Sequence, residues 1–551
     1  MKKNKYLLLS SSLGALLLLA AAAVDENFLK DWRRIQAAGV SEEGPIPVQL
    51  RQVVNPQLGI ADRCVSCHVS MGPGEQSVRG GETLMPHPPV VHDPAEFGCT
   101  VCHGGQGQAT EKADAHGLVH FWPEPMLDKS LSYAGCGTCH AALAVPERGQ
   151  YREAVLAFER LDCFACHRVD GRGGTIRPDG GGMEGPDLSR AGLGSYDPDW
   201  HRKHLEKANT EAESTWKRAF RPVNAEDQAR LEVYLRTRVA APQLVEAKSI
   251  FHSSGCLGCH QVSGTGGDDG PDLTLAGFRD PGQSDFSQVP GERRMRNWMI
   301  EHFRSPAAIV SGSLMPPVSL STKELDQLTL YALSLRRKEL RDAYLPKDRV
   351  RAVKFGEREF ASDGATIYGA FCAGCHGADG QGRRAPGLTA FPSIANPDFL
   401  SLVTDEFLEQ SIKRGRPGRR MPGWLKEGGL HPQEVRAVVA HLRHLGGTSY
   451  SPDGRPGRWI EAAPQPGARL FAAACAGCHG EGGKGADAPA LDNPVLHELA
   501  TDRFLVETIA NGRRGTTMQG FLTATPVRPA FTREEIQSIV AYLRSLAGGK
   551  S

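Results

Sequence analysis

The sequence predicts a mainly α-helical protein with an N-terminal anchor helix, a loop-rich module and four small helical domains. Apolar residues at i, i+3 and i+4 spacing recur in four segments roughly a hundred residues apart, which is the pattern of amphipathic helices. Gly (63) and Pro (37) are abundant, as expected of short helices joined by loops. With 551 residues, and about 100–200 residues per domain, the chain should hold several domains.

The N-terminus has the features of an export segment. Lys2, Lys3 and Lys5 precede an apolar run over residues 6–24, and Asp25 follows it. A basic flank before an apolar run directs export, so the rest of the chain is predicted to be extracytoplasmic. The run of 19 residues is closer to the ~20 of a spanning helix than to the ~7–15 of a signal core, which predicts an anchor in the inner membrane. The alanines at 21–23 leave a cleaved signal open.

All 14 cysteines fall into seven copies of Cys-x-x-Cys-His. The copies are Cys64/Cys67/His68, Cys99/Cys102/His103, Cys136/Cys139/His140, Cys163/Cys166/His167, Cys256/Cys259/His260, Cys372/Cys375/His376 and Cys475/Cys478/His479. This spacing is typical of haem c attachment, because two thiols one helical turn apart reach both vinyl groups of a porphyrin and the next His lies under the iron. The motifs predict seven covalently bound haem c groups, each with its motif His as proximal ligand.

Other uses of paired cysteines fit less well. A disulfide framework gives no reason for a His after every second Cys. Zinc sites pair two Cys-x-x-Cys units and do not need that His. A thioredoxin-type pair usually occurs once, in an α/β setting. The net charge of +1 gives no case for nucleic acid as a partner.

The spacing of the motifs divides the chain. The first three motifs lie within residues 64–140, whereas the next four are about 90–115 residues apart. Repeats of this kind indicate repeated structural units. We expect an export or anchor segment at 1–28, an N-terminal three-haem module at 29–145, and four one-haem domains, called units 4 to 7, at 146–240, 241–345, 346–450 and 451–551.

Units 4 to 7 share three features. Each begins with a short helix bearing an aromatic residue just before the first Cys, at Phe158, Phe251, Tyr368 and Phe471. Each has a Pro two residues before a Leu, at Pro186/Leu188, Pro271/Leu273, Pro386/Leu388 and Pro489/Leu491. Each ends in an amphipathic helix, at 225–239, 322–335, 432–445 and 532–546.

This pattern resembles the class I cytochrome c fold over about residues 146–548. The resemblance implies four class I cytochrome c-like helical domains whose terminal helices cross. It also implies that the Pro carbonyl accepts a hydrogen bond from the proximal His, and that a Met from a later loop is the sixth ligand.

The resemblance is most specific in units 6 and 7. Residues 415–424 and 512–521 match in Gly, Arg, Gly, Met, Gly and an aromatic residue. It implies Met421 and Met518 as axial ligands of haems 6 and 7. In unit 5 it implies Met315, and the rivals are Met295 and Met299, on a helix expected to pack in the core.

Unit 4 departs from the family pattern, because Phe220 stands where the Met ligand would be. Phe cannot bind iron. The predicted distal ligand is His204, on a helix beginning near residue 199. His201, Met183 and a five-coordinate iron remain open.

The N-terminal module lacks the class I pattern. Its segment 98–107, Gly-Cys-x-x-Cys-His-Gly-Gly-x-Gly, and the following Ala115-His116-Gly117 resemble multihaem cytochromes with bis-His ligation. This implies histidines on both faces of each iron. The candidates for the three distal positions are His87, His92, His116 and His120, and the sequence does not pair them with haems.

Ligand type predicts a slope of reduction potential along the chain. Met/His ligation raises the potential relative to bis-His ligation, because the thioether favours ferrous iron. We therefore predict a heptahaem electron-transfer protein, not an enzyme, that takes electrons from a membrane quinol-oxidising complex and passes them to a downstream cytochrome or oxidase. The alternatives are a haem peroxidase or reductase acting at an open haem 4 iron, and a filament-forming conduit.

Overall fold

The computed structural model describes residues 2–72, 78–88, 90–120, 122–174, 185–194, 202–203, 223–384 and 390–547. Over these residues the chain is mainly helical. In this part of the chain the strands form four short antiparallel ribbons, Val40–Ser41 with Gly44–Pro45, Val53–Asn55 with Ile60–Asp62, Arg168–Val169 with Arg172–Gly173, and Gln261–Val262 with Thr265–Gly266. The predicted mainly α fold class is confirmed.

The first helix, Lys2–Val24, projects from the rest of the protein with its apolar side chains exposed. Most of it lies in the stretch Lys3–Ala37, which contains an 18-residue window of mean hydropathy 2.3 and is the only stretch in the described ranges long and apolar enough to cross a membrane. A turn of π-helix at Asp25–Leu29 follows. The helix Lys2–Val24 has the length of a membrane-spanning helix.

The N-terminal module has short elements joined by long loops, as predicted. Its α-helices are Asp31–Ala37, Pro94–Phe97, Thr100–His103 and Lys112–Ala115. Its 3-10 helices are Cys64–Ser66, Val69–Met71, Glu82–Leu84 and Lys129–Thr138. The only hydrophobic cluster found entirely within its described residues is small, so bound cofactors would have to supply much of its core.

Each of units 4 to 7 packs the helix that precedes its first Cys against its last helix. The pairs are Arg148–Arg160 with Ala225–Arg236, Pro242–Ser253 with Thr322–Ser334, Gly364–Ile367 with Pro432–Gly446, and Pro464–Ala474 with Arg533–Ala547. Gly467 permits the close crossing in unit 7, because a Cβ there would overlap the carbonyl oxygen of Ser538.

The aromatic residue before each first Cys is buried at this crossing and contacts a ring on the last helix. The ring centroids are 4.2–5.4 Å apart in the pairs Phe158 with Tyr234, Phe251 with Tyr331, Tyr368 with His441, and Phe471 with Tyr542. Ring pairs at this separation stabilise the crossing beyond the apolar area they bury.

Shorter elements connect these helix pairs. The α-helices are Met295–Arg304, Pro306–Ile309, Lys347–Phe355, Ala373–His376, Pro397–Leu400, Asp405–Arg414, Ala476–His479, Pro494–Leu499 and Asp502–Asn511. The 3-10 helices are Cys163–Ala165, Ala191–Leu193, Cys256–Gly258, Ala276–Phe278, Pro281–Gln283, Asp342–Tyr344 and Glu481–Gly483, and Tyr368–Cys372 is a π-helical turn. One continuous hydrophobic cluster runs through units 5 to 7 and the end of the N-terminal module, whereas most of unit 4 has its own small core.

Candidate haem-binding sites

The 14 cysteines all lie in described ranges and are unpaired thiols. In six motifs the backbone N–H of the His donates to the carbonyl of the first Cys at 2.8–3.0 Å, so the motif forms one helical turn that brings the two thiols together. Burial raises the pKa of the Cys256 and Cys372 thiols to about 12.

In units 4 to 7 the Nδ1 of the motif His bonds to a proline carbonyl, which leaves Nε2 available to bind an iron. The contacts are His167 with Pro186 at 3.0 Å, His260 with Pro271 at 2.8 Å, His376 with Pro392 at 2.9 Å, and His479 with Pro489 at 2.8 Å. A bond of this kind sets the tautomer and orientation of a ligating imidazole.

Unit 6 corrects one detail of the sequence prediction, which chose Pro386. Residues 385–389 are outside the described ranges, and the carbonyl that His376 reaches is that of Pro392. Arg383 pairs with Phe391 as an isolated β-bridge, which places Pro392 beside the segment that follows His376. The accepting proline therefore comes six residues after the Pro of the Pro-x-Leu pattern.

Two pairs of histidines in the N-terminal module have the separation expected across an iron. The ring centroids of His87 and His103 are 6.1 Å apart, and those of His92 and His140 are 6.2 Å apart. Two metal–nitrogen bonds of about 2.0–2.1 Å each, extended by the radius of each ring, place the centroids of two axial imidazoles roughly 6 Å apart.

Burial lowers the pKa of His68, His103 and His116 and keeps these rings neutral, the form that binds a metal. The charge of His68, the remaining motif histidine of the module, lowers the pKa of His116 further. His120 is exposed.

His140 differs from the proximal histidines of units 4 to 7, because its Nδ1 meets a carboxylate. The Oδ1 and Oδ2 atoms of Asp348 are 3.1 and 3.2 Å away. Burial acts to raise the pKa of Asp348, but hydrogen bonds from His140, Ala142 and Ala141 outweigh it and lower the pKa to about 2. The sequence analysis missed Asp348, which is 208 residues away and has no local motif.

The loops that carry Met421 and Met518 have the same backbone geometry. Gly415 and Gly512 end the preceding helices with φ near +63° and +69°, a region open to glycine. In each loop the N–H of the next Arg donates to the carbonyl of the Met, at 2.8 and 2.9 Å. Both Met side chains are partly buried.

The arginines of these loops show that the residues fit a haem. Nε of Arg513 is buried and has no hydrogen-bond partner among the described residues. Burial lowers the pKa of Arg513 and of its counterpart Arg416 to about 10, and each lies near the proximal His of its own unit. A buried cation needs an anion, and each haem c brings two propionates. The sequence signal for these two arginines is their equivalent position in the matching segments 415–424 and 512–521.

In unit 5, Met315 is partly buried against the core, while Met295 and Met299 are buried within it. His302 stacks on Trp298 at 4.8 Å between centroids, and burial lowers its pKa to about 4. For unit 4, His201, His204, Met183 and Phe220 lie outside the described residues, so the distal ligand of haem 4 remains a prediction.

Successive motifs contact one another. Asp62, two residues before Cys64, accepts a hydrogen bond from the backbone N–H of Cys99 at 2.6 Å, which joins the first and second motifs. Gly135, directly before Cys136, lies against the backbone of Cys102 and so joins the second motif to the third. Gly137 within the third motif lies against Ser334 in the last helix of unit 5.

The series of contacts continues through the C-terminal units. Gly255 packs against the backbone of Gly374, so the motifs of units 5 and 6 face each other. Units 6 and 7 meet through their Met loops in a nearly symmetric way. Asn396 Nδ2 donates to the carbonyl of Arg514 at 2.9 Å, and Asn493 Nδ2 donates to that of Pro417 at 3.2 Å.

The motif of unit 4 differs from the others, and Cys166 shows the difference. The sequence alone ranks Cys166 with the remaining cysteines, as one member of a uniform set. Its backbone hydrogen bonds are like those of Cys259 in unit 5, because its N–H donates to the carbonyl of Cys163 and its carbonyl accepts from the N–H of Gly185 at 2.9 Å. The motif of unit 4 differs in its position. The physical reason is packing, since Cys163 lies against the separate small core of unit 4. Cys166 therefore stays a predicted attachment residue but lies beside the series of motif contacts.

Comparison with known proteins identifies three stretches, residues 244–336, 361–446 and 464–547, that match the family model Cytochrome c. They lie within units 5, 6 and 7. The FixP subunit of the cbb3-type cytochrome c oxidase of Bradyrhizobium sp. (strain ORS 278) is 32% identical over 199 residues, which are 34% of this chain and 61% of that one. The CcoP subunit from Rhodobacter capsulatus is 29% identical over 34% of this chain and 62% of its own length.

The chain thus spans about three fifths of the length of these curated relatives. A chain of the reducing HAO-like protein complex of Kuenenia stuttgartiensis is 20% identical to this protein. The match covers 33% of this protein and 94% of the Kuenenia chain. Its TM-score of 0.23 is too low to support an argument.

Proposed function

Because the chain is a multihaem c-type cytochrome, we propose that its seven motifs carry seven haem c groups and that it conducts electrons outside the cytoplasm. When bound, haem supplies the one-electron couple of its iron. The chain supplies the ligands, the burial and the spacing between sites.

The observation that carries this proposal is the series of contacts between motifs. Motifs one to three touch in order, the third meets unit 5, units 5 and 6 join motif to motif, and units 6 and 7 join at their Met loops. A protein whose sites acted independently would not need its attachment motifs in contact. Electron transfer between sites does need it, because the thioether-bearing edges of successive haems then lie close together.

Haem 4 would lie beside this series rather than within it. Its attachment residues Cys163 and Cys166 belong to the separate core of unit 4. The first helix of unit 4, Arg148–Arg160, packs against the first helix of unit 5, Pro242–Ser253, so unit 5 would be the neighbour with which haem 4 exchanges electrons.

The histidine pairs assign the distal ligands of the N-terminal module. His103 with His87 and His140 with His92 would hold haems 2 and 3, on the separation of their rings. His68 would hold haem 1 with His116, because His116 is the remaining distal candidate whose ring burial keeps neutral. This gives bis-His ligation at the three sites nearest the apolar helix.

Electrons would therefore enter at residues 29–145 and leave from unit 7. Met315, Met421 and Met518 would raise the potentials of haems 5 to 7 above those of the bis-His group. Cys478 in unit 7 is the one exposed cysteine of the 14, all of which are described. An exposed attachment site at the far end suits an exit to a partner.

The proposed partners follow from the two ends of the chain. The apolar helix Lys2–Val24 would hold the entry module at the membrane on the periplasmic side, where a quinol-oxidising complex would be the donor. The relatives FixP and CcoP are subunits of a cytochrome c oxidase. By analogy, unit 7 would deliver electrons to an oxidase or to a cytochrome that serves one. The protein would then be an electron-transfer partner rather than an enzyme.

The haem count is tested by the intact mass of the purified protein. Seven attached groups are expected, and five or fewer would contradict the proposal. Replacing both Cys372 and Cys375 with Ala should remove one haem and leave the mass increments of the other sites in place.

The pathway is tested by mild detergent extraction followed by addition of a quinol. The full-length protein should co-purify with a membrane complex and become reduced by the quinol. A matched variant in which residues 2–24 are replaced by a cleavable export signal should keep its haems but lose quinol-driven reduction. Equal reduction of the purified protein by quinol without any co-purified complex would remove the proposed donor.

A further inference from the structure

Asp348 is a buried carboxylate with a direct bond to an iron ligand. It lies in the first turn of the helix Lys347–Phe355 at the start of unit 6, and only 1% of its surface is exposed. His140 Nδ1 donates to its carboxylate at 3.1 and 3.2 Å. Unit 6 therefore contributes a charged group to the third site of the N-terminal module.

Units 4 to 7 provide an internal comparison. Their proximal histidines all donate to neutral proline carbonyls at similar distances, 2.8–3.0 Å. At His140 the acceptor carries a full negative charge instead. Hydrogen bonds to ionised acceptors are about twice as strong as those to neutral acceptors. A carboxylate in place of a carbonyl therefore strengthens the hydrogen bond that His140 donates.

The surroundings hold the carboxylate in position. The backbone N–H groups of Ala141 and Ala142 donate to Oδ2 of Asp348 at 2.9 and 3.1 Å. The carbonyls of the same two residues accept from the buried Lys248 ammonium at 2.8 and 2.9 Å, and Lys248 also contacts Glu359 at 3.3 Å. The loop after His140 is thus bound by one anion and one cation, each from a different unit.

We propose that Asp348 is a positioning residue that lowers the reduction potential of the haem attached to Cys136 and Cys139. A carboxylate that accepts from Nδ1–H makes the imidazole a stronger donor and favours ferric iron. This haem is then the most reducing of the three in the module, directly before the step to unit 5. The inference rests on the proposed electron-transfer function and on His140 with His92 as the axial pair.

The test is a redox titration of the full-length haem-loaded protein, with low-spin ferric EPR recorded in parallel. In Asp348→Asn one midpoint potential should become more positive and one EPR signal should change. The midpoint potentials and EPR signals of the other haems should stay as in the wild type. Asp348→Glu, which keeps the charge, should return both towards the wild type. Glu359→Gln is the matched control, since it removes a carboxylate from the same interface without touching His140.

Equal shifts in Asp348→Asn and Glu359→Gln, with the EPR signals unchanged, would mean that only general electrostatics act and would overturn the proposal. If the Asp348→Asn protein does not accumulate, the proposal is tested on the wild type by near-infrared magnetic circular dichroism. One of the three bis-His charge-transfer bands should lie at higher energy than the others, and three coincident bands would overturn the proposal. Absence of bis-His bands in the wild type would instead contradict the ligand pairing.

Discussion

Met421 and Met518 occupy equivalent places in loops with one backbone geometry, and Met315 lies against the core of unit 5. If each binds iron, the near-infrared band of ferric Met ligation should fall by about a third in each of Met315→Ala, Met421→Ala and Met518→Ala. Met299→Leu is the matched control, because Met299 is buried in the same unit and predicted to pack only. A full band in any of the three Ala variants removes that Met from the ligand set.

His252 predicts a loss of stability in acid. It is 2% exposed, its Nδ1 is 3.1 Å from the carbonyl of Val145, and burial together with the nearby Lys248 lowers its pKa to about 3. Because the unfolded chain binds the proton first, near pH 6.5, stability is unaffected above that pH and is lost as the pH falls towards 3. Urea unfolding should show a loss of about 2 kcal/mol between pH 7 and pH 5 from this residue.

The variant His252→Gln lacks the titrating group. Its free energy of unfolding should therefore fall less between pH 7 and pH 5 than that of the wild type. The exposed His444 supplies the control, and His444→Gln should behave as the wild type does. Equal losses in the wild type and in His252→Gln would show that His252 is not the group responsible.

At the scale of elements, one glycine tests the junction between the motifs of units 5 and 6. A Cβ at Gly374 would lie 2.5 Å from the carbonyl oxygen of Gly255. Gly374→Ala should therefore separate the two motifs, destabilise the junction by about 1–3 kcal/mol and slow electron transfer from unit 5 to unit 6. Thermal unfolding and flash-induced internal electron transfer would measure the two effects.

Unit 7 offers the matched control at the same motif position. Gly477 has no other atom within 4 Å of the place its Cβ would take, so Gly477→Ala should leave both stability and transfer rate unchanged. If Gly374→Ala also leaves the transfer rate unchanged, the motif contact is not on the electron path.

At the scale of the whole molecule, the N-terminal module and the later units form one structure. Asp348 of unit 6 and Lys248 of unit 5 both bind the loop after His140, and the Val145 carbonyl accepts from the N–H of Ala361 at 3.1 Å. The sites of the module should therefore be titrated in the full-length protein, because separating the units would remove these groups.

The predicted direction of electron flow is tested in one titration of the intact protein. The near-infrared Met band should disappear first on reduction, and the bis-His EPR signals should disappear at lower potentials. Burial of a bis-His site can raise its reduction potential, which would reduce the difference in potential between the bis-His haems and the Met-ligated haems. Bis-His signals that vanish at or above the potential of the Met band would mean a level conduit or the opposite direction.

The sequence alone determined the features that depend on short spacing. The seven attachment motifs, the individual helices of units 4 to 7 and the two matching Met loops are each specified by residues about ten or fewer apart, so their patterns are visible without a fold. The resemblance to cytochrome c is confirmed in units 5 to 7, where the family model matches.

The tertiary structure decided which distant residues meet. His92 faces His140, Asp348 lies behind the same ring, Pro392 replaces Pro386, and Cys166 lies beside the series of motif contacts. No local pattern encodes these placements, because they depend on how long loops return and how units pack. Buried charges such as Asp348 become interpretable only when their partners are in place, since burial is favourable only with those partners.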